Sequence, residues 1–359
     1  MNKNSRQADF RQRTVVITGA SAGVGRAAAR AFARAGANVG LLARGQEGLD
    51  ATVRELELLG VRALACSVDV ADAAAVEQAA QQIEEQLGPI DVWVNNAMVT
   101  IFAPVAEIDA AEFKRVTEVT YLGGVYGTMA ALKHMRPRDR GTIVQVSSAL
   151  AYRSIPLQSA YCGAKHALVG FIDALRSELI HEGSHIQLTS VQMPALNTPQ
   201  FSWARNRMPN RPQPVPPIFE PEVAADAIVW AASHRRRSVP VGAPTWLAEW
   251  GQKIAPGLLD RYLGRTSYRG QQTDEPDDPD RADNLFSPVA GDPGAHGRFG
   301  ARASDHSGAL WVEKHRAPLA GAVLAAGVLA AGCWYAVGRR RRPGTALQRS
   351  ARKLQRRWS

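Results

Sequence analysis

Short apolar runs recur at residues 15–17, 39–42, 64–68, 92–94, 143–146 and 186–191, continuous rather than alternating and bounded by turn formers. Such runs suit strands buried on both faces of a parallel sheet, because neither face meets water. Helical stretches lie between them. Residues 25–35 are alanine-rich and stop at Gly36, a good C′ residue; residues 71–86 follow Asp69 and stop at Gly88-Pro89. Strand and helix alternate over about 240 residues and end on a last core strand at 239–242. The pattern predicts an α/β fold built on a doubly wound parallel sheet with right-handed crossovers.

Before that last strand, residues 194–221 carry Pro199, Pro209, Pro212, Pro214, Pro216 and Pro217, which exclude a regular helix or a central strand. This stretch is expected as a loop over an active site. Residues 243–272 leave room for one or two short helices, around 246–253 and 258–263. The Asp-, Gly- and His-rich residues 273–307 read as extended linker or surface wrap. The chain thus divides into a lead (1–12), a catalytic domain (13–242), an extension and linker (243–316), an apolar stretch (317–338) and a basic tail (339–359), with no internal repeat in the core.

The 359 residues include 43 Lys+Arg and 33 Asp+Glu, a net charge of +10 that at first invites a nucleic-acid or anionic-membrane partner. Location removes the nucleic-acid reading. Nine of the basic residues and no acidic one fall after residue 316, so the body carries a net of only about +1. Cys66, Cys162 and Cys333 are odd in number and form no CxxC pair, which implies neither a disulfide framework nor a cysteine zinc site. The first residues run into the first strand with no apolar signal stretch, and a cytoplasmic catalytic domain is expected.

The first strand ends in TGASAGVG, residues 18–25, where Gly19, Gly23 and Gly25 open a helix. Glycines there let the backbone turn tightly and approach a pyrophosphate, which unpaired N–H groups and the helix dipole stabilise; Ser21 and Val24 belong to the same turn. The spacing is not that of a P-loop. At the end of the second strand, where an acidic side chain would bond the adenosine ribose, stands Arg44, whose fork suits a phosphate. That predicts NADP(H) over NAD(H), with an ordinary exposed arginine as the alternative. Downstream, Tyr161 and Lys165 lie four residues apart, on one face of a helix, with Ser148 at a strand end thirteen residues before Tyr161. A phenol near its ordinary pKa of ~10 is a poor base, and an adjacent ammonium favours the phenolate. A serine hydroxyl can hold a substrate oxygen.

As a set these residues resemble the short-chain dehydrogenase/reductases, over residues 13–242. TGASAGVG is similar to the family's TGxxxGxG; Asp69-Val70 resembles its adenine-contacting Asp-Val; Asn95-Asn96-Ala97 resembles the start of NNAG; Pro194 with Thr198 resembles PGxxxT, which meets the nicotinamide carboxamide. The resemblance implies a Rossmann fold, a cofactor site that includes Asp69, Val70, Asn95, Ala97, Pro194 and Thr198, and a catalytic set of Ser148, Tyr161 and Lys165. Tyr161 is then the general acid/base, Ser148 orients the reacting oxygen, and Lys165 binds the nicotinamide ribose and lowers the tyrosine pKa. The implied activity is hydride transfer between nicotinamide and a carbonyl/alcohol substrate, in an enzyme expected to form a homo-oligomer.

Three positions depart from the family pattern. Met98 replaces the last glycine of NNAG, Ala195 replaces the glycine of PG, and Thr120 stands in place of the asparagine that supports a proton relay. A hydroxyl still bonds water, so Thr120 joins the catalytic set, with the relay open to question. A weakly active cofactor-binding scaffold or sensor is the alternative these departures motivate. His181-Glu182-Gly183-Ser184-His185 matches HExxH, but Gly183 and Ser184 are poor helix formers, and the segment reads as a turn with no metal. Phe201 and Trp203 are placed either along an apolar substrate pocket or inside the loop's own packing.

Residues 317–338 hold no charge over 22 positions, long enough at ~1.5 Å per residue to cross a bilayer, with Trp334 and Tyr335 near one end. Eight alanines and four glycines make the stretch weakly apolar. Membrane association through 317–338, spanning or interfacial, is expected, and a terminal helix buried in a dimer is the alternative.

Overall fold

The six apolar runs and the last core strand are the seven strands of one parallel sheet in a computed structural model that describes residues 9–319, Gly321 and Trp334. In chain order these are β1 (Thr14–Thr18), β2 (Asn38–Ala43), β3 (Ala63–Ser67), β4 (Ile90–Asn95), β5 (Thr142–Ser148), β6 (Gln187–Met193) and β7 (Ser238–Pro240). Their order across the sheet is β7-β6-β5-β4-β1-β2-β3, with every pair parallel. Strand order reverses at β1, and the crevice beyond the carboxyl ends of β1 and β4 is where such sheets take ligands.

Helices cover both faces. They are α1 (Gly23–Arg34), α2 (Gln46–Glu57), α3 (Ala73–Leu87), α4 (Ala110–Thr117), α5 (Gly123–Met135), α6 (Ser159–His181) and α7 (Pro221–Ser233). Local chemistry sets their ends. The Asp72 side chain accepts from the amides of Ala74 and Ala75, capping α3, and Asp109 with Glu112 forms a capping box on α4. Trp93, fully buried on β4, donates its indole N–H to Asn95 at 2.8 Å. Gly40 on β2 lets α3 come close, since a side chain there would meet Ile83.

The HExxH segment is the end of α6. His181 is its last residue, Gly183 turns left-handed (φ 66°), and the amides of Gly183 and Ser184 close onto the carbonyls of Ile180 and Leu179. His185 lies beyond the helix and pairs with Asp139 at 2.6 Å. The two histidines therefore do not share a helix face.

The extension is more regular than short helices. It forms α8 (Ala243–Ile254) and α9 (Pro256–Gly270), then a strand, Gln272–Pro276, antiparallel to Asn210–Pro212 of the proline-rich loop. Residues 277–307 wrap back over the domain rather than leaving it as a linker, and they belong to one unit with everything up to Leu310. A second unit begins at Trp311, whose described part is helical over 311–319, with the Trp311 ring stacked on His315 at 4.6 Å. Among the described residues no helix is long and apolar enough to cross a membrane. Most of the expected membrane-associated stretch, 317–338, and all of the basic tail lie outside the described residues.

Candidate active site

At the carboxyl end of β1 the chain must turn sharply into α1. Gly19 adopts φ 67°, and a Cβ there would stand 2.8 Å from the Cα of Ala97; a Cβ on Gly25 would strike the carbonyl of Gly19. The turn is therefore packed against the end of β4 with no room for side chains. Asn96 holds it there, donating to the carbonyls of Thr18 and Gly19 at 2.9 and 3.3 Å, while the Thr18 hydroxyl accepts from the amides of Asn96 and Ala97. This turn at the amino end of α1, without side chains at Gly19 and Gly23, which line the cavity, fits a dinucleotide pyrophosphate.

The turn opens onto a cavity of about 710 Å³. Gly19, Ser21, Gly23 and Val24 line one part of it, and Arg44, Asp69, Val70 and Ala97 the adjoining part. Ser148, Tyr161, Lys165, Pro194 and Thr198 line it further along. Nearly all the expected site residues thus share one crevice. Gly25 does not face it; its part is to let α1 approach the Gly19 carbonyl. Asn95 is also outside, its side chain held between the indole of Trp93 and the hydroxyl of Thr128. Asn96 is the member of that motif that fixes the turn.

Ser148 ends β5, and its hydroxyl accepts from the amide of Leu150 at 3.1 Å. Burial pushes the Tyr161 phenol above its ordinary value, and a hydrogen bond with Ser148 pulls it the other way without overcoming that. Lys165 is buried and donates to the carbonyl of Val146 at 2.7 Å, with its nitrogen 5.7 Å from the centroid of the Tyr161 ring. Burial brings its pKa down to about 8. Lowering of the tyrosine by the lysine is therefore not the balance found; desolvation acts on both groups and favours neutral phenol.

Thr120 stands apart. It lies in the π-turn Glu118–Leu122 between α4 and α5, fully buried, and its hydroxyl both donates to the carbonyl of Val99 and accepts from the Val99 amide, at 2.9 and 3.1 Å. Both bonds engage protein backbone, so Thr120 fixes the cavity-lining Val99 and does not itself reach the cavity.

At the end of the cavity lined by Arg44 and Asp69, burial would raise the Asp69 carboxyl, but Arg115, 2.5 Å away, and the Ala71 amide hold it below its ordinary value. Arg44 is not an exposed arginine. It donates to the carbonyls of Asn284, Leu285 and Phe286, in a segment whose sequence carried no periodic signal.

The other end of the cavity is apolar. Leu247 of α8, Leu259, Tyr262 and Leu263 of α9, and Val215 and Trp203 of the proline-rich loop line it, so the loop lies over the site as expected. Phe201 does both things proposed for it: it lines the cavity and packs between Phe102 and Phe299, with centroids at 6.0 and 5.8 Å. Arg153 binds Gln252 of α8 and Asp260 of α9, and Gln158 bonds Gln271 just past α9, which anchors the extension to the active-site wall. Those two anchors carry no sequence motif.

Residues 13–208 match the family described as short chain dehydrogenase. The chain is 30% identical over 332 residues to an uncharacterized oxidoreductase, YxnA, of Bacillus subtilis, covering 92% of each protein. It is 34% identical over 245 residues to a fatty acyl-CoA reductase of Acinetobacter baylyi, covering 67% of this chain and 80% of that one. Among solved structures, a short chain dehydrogenase of Mycobacterium paratuberculosis bound to NAD is similar, with a TM-score of 0.57 and 25% identity, over 65% of this chain and 97% of the other.

Proposed function

The chain belongs to the short-chain dehydrogenase/reductase family and is an NAD(P)-dependent oxidoreductase, and from that premise we propose that it transfers hydride between NADP(H) and a carbonyl or secondary-alcohol carbon, with Tyr161 as general acid/base. The observation that carries this reading is the meeting of Ser148, Tyr161 and Lys165 in the crevice that the Gly19–Gly25 turn opens onto. When bound, the nicotinamide supplies or accepts the hydride. The protein's own part is binding, orientation and one proton. Ser148 holds the substrate oxygen; Tyr161, kept protonated by burial, gives its phenolic proton to that oxygen as the carbonyl is reduced. Lys165 stiffens the wall through Val146 and offers its charge beside the ring.

The preference for NADP(H) rests on Arg44 and on the lack of a carboxylate at the end of β2. Its guanidinium has five N–H donors, and three carbonyls leave some of them for a 2′-phosphate. The apolar far wall, and the relative named as a fatty acyl-CoA reductase, support a bulky apolar substrate. Self-association is supported by exposed Phe113, Met129 and Ile180 on α4, α5 and α6. Membrane association through 317–338 rests on the composition of that stretch alone.

Oxidation of NADPH and NADH in the presence of a panel of ketones and aldehydes tests the reading. Turnover faster with NADPH, with Arg44→Ala costing NADPH at least tenfold more than NADH in kcat/KM, is expected. No turnover with either cofactor in any member of the panel removes the enzyme reading for that substrate class, and equal efficiency with both cofactors removes the preference.

A further inference from the structure

Resting on the proposed dinucleotide site, we infer that residues 284–297 form a strap that is itself a wall of that site, so that NADP(H) binds beneath it and leaves only when it lifts. The segment follows the cofactor crevice along its length. It starts at the ribose-reading position, where the carbonyls of Asn284, Leu285 and Phe286 accept from Arg44 and that of Leu285 also accepts from Arg115, the partner of Asp69. Pro288 then packs 3.6 Å from where a side chain of Gly45 would begin, and Pro293 lies 3.3 Å from the same point on Gly48, both just past β2.

At the glycine turn the strap touches the phosphate cradle. The amide of Gly23 donates to the carbonyl of Gly294 at 3.1 Å. Asp292 forms an ion pair with Arg26, a buried residue of α1 that also holds Glu55, and its carboxylate accepts from the Gly294 amide to set the turn. Farther on, the amide of Gly297 donates to the Asn197 carbonyl, and a side chain at Gly297 would stand 2.5 Å from the carbonyl of Thr198. So the same segment is fastened beside the ribose, pyrophosphate and nicotinamide positions in turn. Pro288, Val289, Gly291 and Pro293 face the cavity itself.

These fastenings are several and individually modest, with charge-assisted ones at Arg44 and Arg26. Release of one is therefore expected to raise the opening frequency without unfolding the domain. The replacement Asp292→Asn keeps the side-chain acceptor for the Gly294 amide and removes the charge that faces Arg26.

Stopped-flow release of NADPH, followed by its fluorescence, together with hydrogen exchange over residues 284–297 of the full chain tests the strap. Asp292→Asn is expected to release NADPH about five- to tenfold faster than the wild type. Saturating NADPH is expected to slow exchange over 284–297 in the wild type, a readout that stands even if the variant fails to fold. Exchange there unchanged by NADPH, or release from a folded Asp292→Asn within twofold of the wild type, overturns the strap. Both readouts report binding alone, so either failure leaves the assignment of Tyr161 intact, whereas absence of binding by NADPH and NADH alike removes the site and the strap together.

Discussion

Lys165 donates its ammonium to the carbonyl oxygen of Val146 at 2.7 Å, across the interface of α6 and β5. One neutral acceptor is poor recompense for a charge taken out of water, which is why its pKa falls to about 8 from 10.5. Because the folded value lies below the unfolded one, Lys165 favours the fold above the unfolded pKa, and that contribution is lost as pH falls from about 10.5 through about 8. At pH 7 the residue is a net cost. Lys165→Met is expected to stabilise the protein at pH 7 by about 1–3 kcal/mol while reducing turnover. Calorimetric unfolding at pH 7 and near pH 10 checks this: the gain should shrink at the higher pH, and an equal gain at both would contradict the argument.

Tyr161 makes the complementary case. Burial holds its phenol above the ordinary value, so the proton is on the oxygen throughout the neutral range. A protonated phenol is ready to act as an acid and must be emptied to act as a base. Carbonyl reduction is expected to be flat from about pH 6 to 8, with alcohol oxidation rising across the same interval. Tyr161→Phe should lose about 10²–10⁴-fold in turnover and keep cofactor affinity within a few-fold. A steady-state pH series in both directions, run beside a fluorescence titration, reads both outcomes; oxidation independent of pH would rule out the phenol as the titrating base.

The sheet and the glycine turn were legible because their signals are local: continuous apolar runs mark buried strands, and Gly19 and Gly25 occupy places where a Cβ has no room. Tyr161 and Lys165 were legible by helical spacing. What could not be read was direction and distance. Nothing in the sequence turns Lys165 toward Val146, ties both functions of the Thr120 hydroxyl to Val99, or sends Arg44 to residues some 240 positions later. Residues 284–297 carry glycine and proline without periodicity, and their order comes from partners on α1, on α4 and just past β2 that only the fold brings near.

Thr120 bonds Val99 with both functions of its hydroxyl, in a place shut off from water. Thr120→Val keeps the volume and leaves the Val99 amide and carbonyl without those partners. Since an unsatisfied buried group costs more than a hydrogen bond gains, a destabilisation of about 1–3 kcal/mol is expected. Val99 lines the cavity, so cofactor KM should rise more than kcat falls. Denaturant unfolding with steady-state kinetics checks the split; a large loss of kcat with unchanged stability would instead assign the hydroxyl to the proton path.

Glu112, at the start of α4, is also buried. It accepts from Arg205 and Arg207 at 2.6 and 2.7 Å, and Arg205 also donates to Asp283, so one carboxylate joins α4, the proline-rich loop and the residue leading into 284–297. Burial would raise its pKa, but Arg205, the Asp109 amide and Arg207 together keep it below 4.5. A depressed folded value means the stabilisation is complete above the unfolded pKa and is lost as pH falls through the folded one. Glu112→Gln, which leaves two arginines facing a neutral amide, is expected to cost about 2–4 kcal/mol at pH 7. That difference from the wild type should narrow as pH drops below about 4.5, because the unfolded wild-type chain then takes up a proton on Glu112 that the folded carboxylate still resists. Urea unfolding of both proteins at pH 7 and pH 4 measures it. A gap that stays constant with pH would mean that the shape of the side chain, and not its charge, joins the three segments.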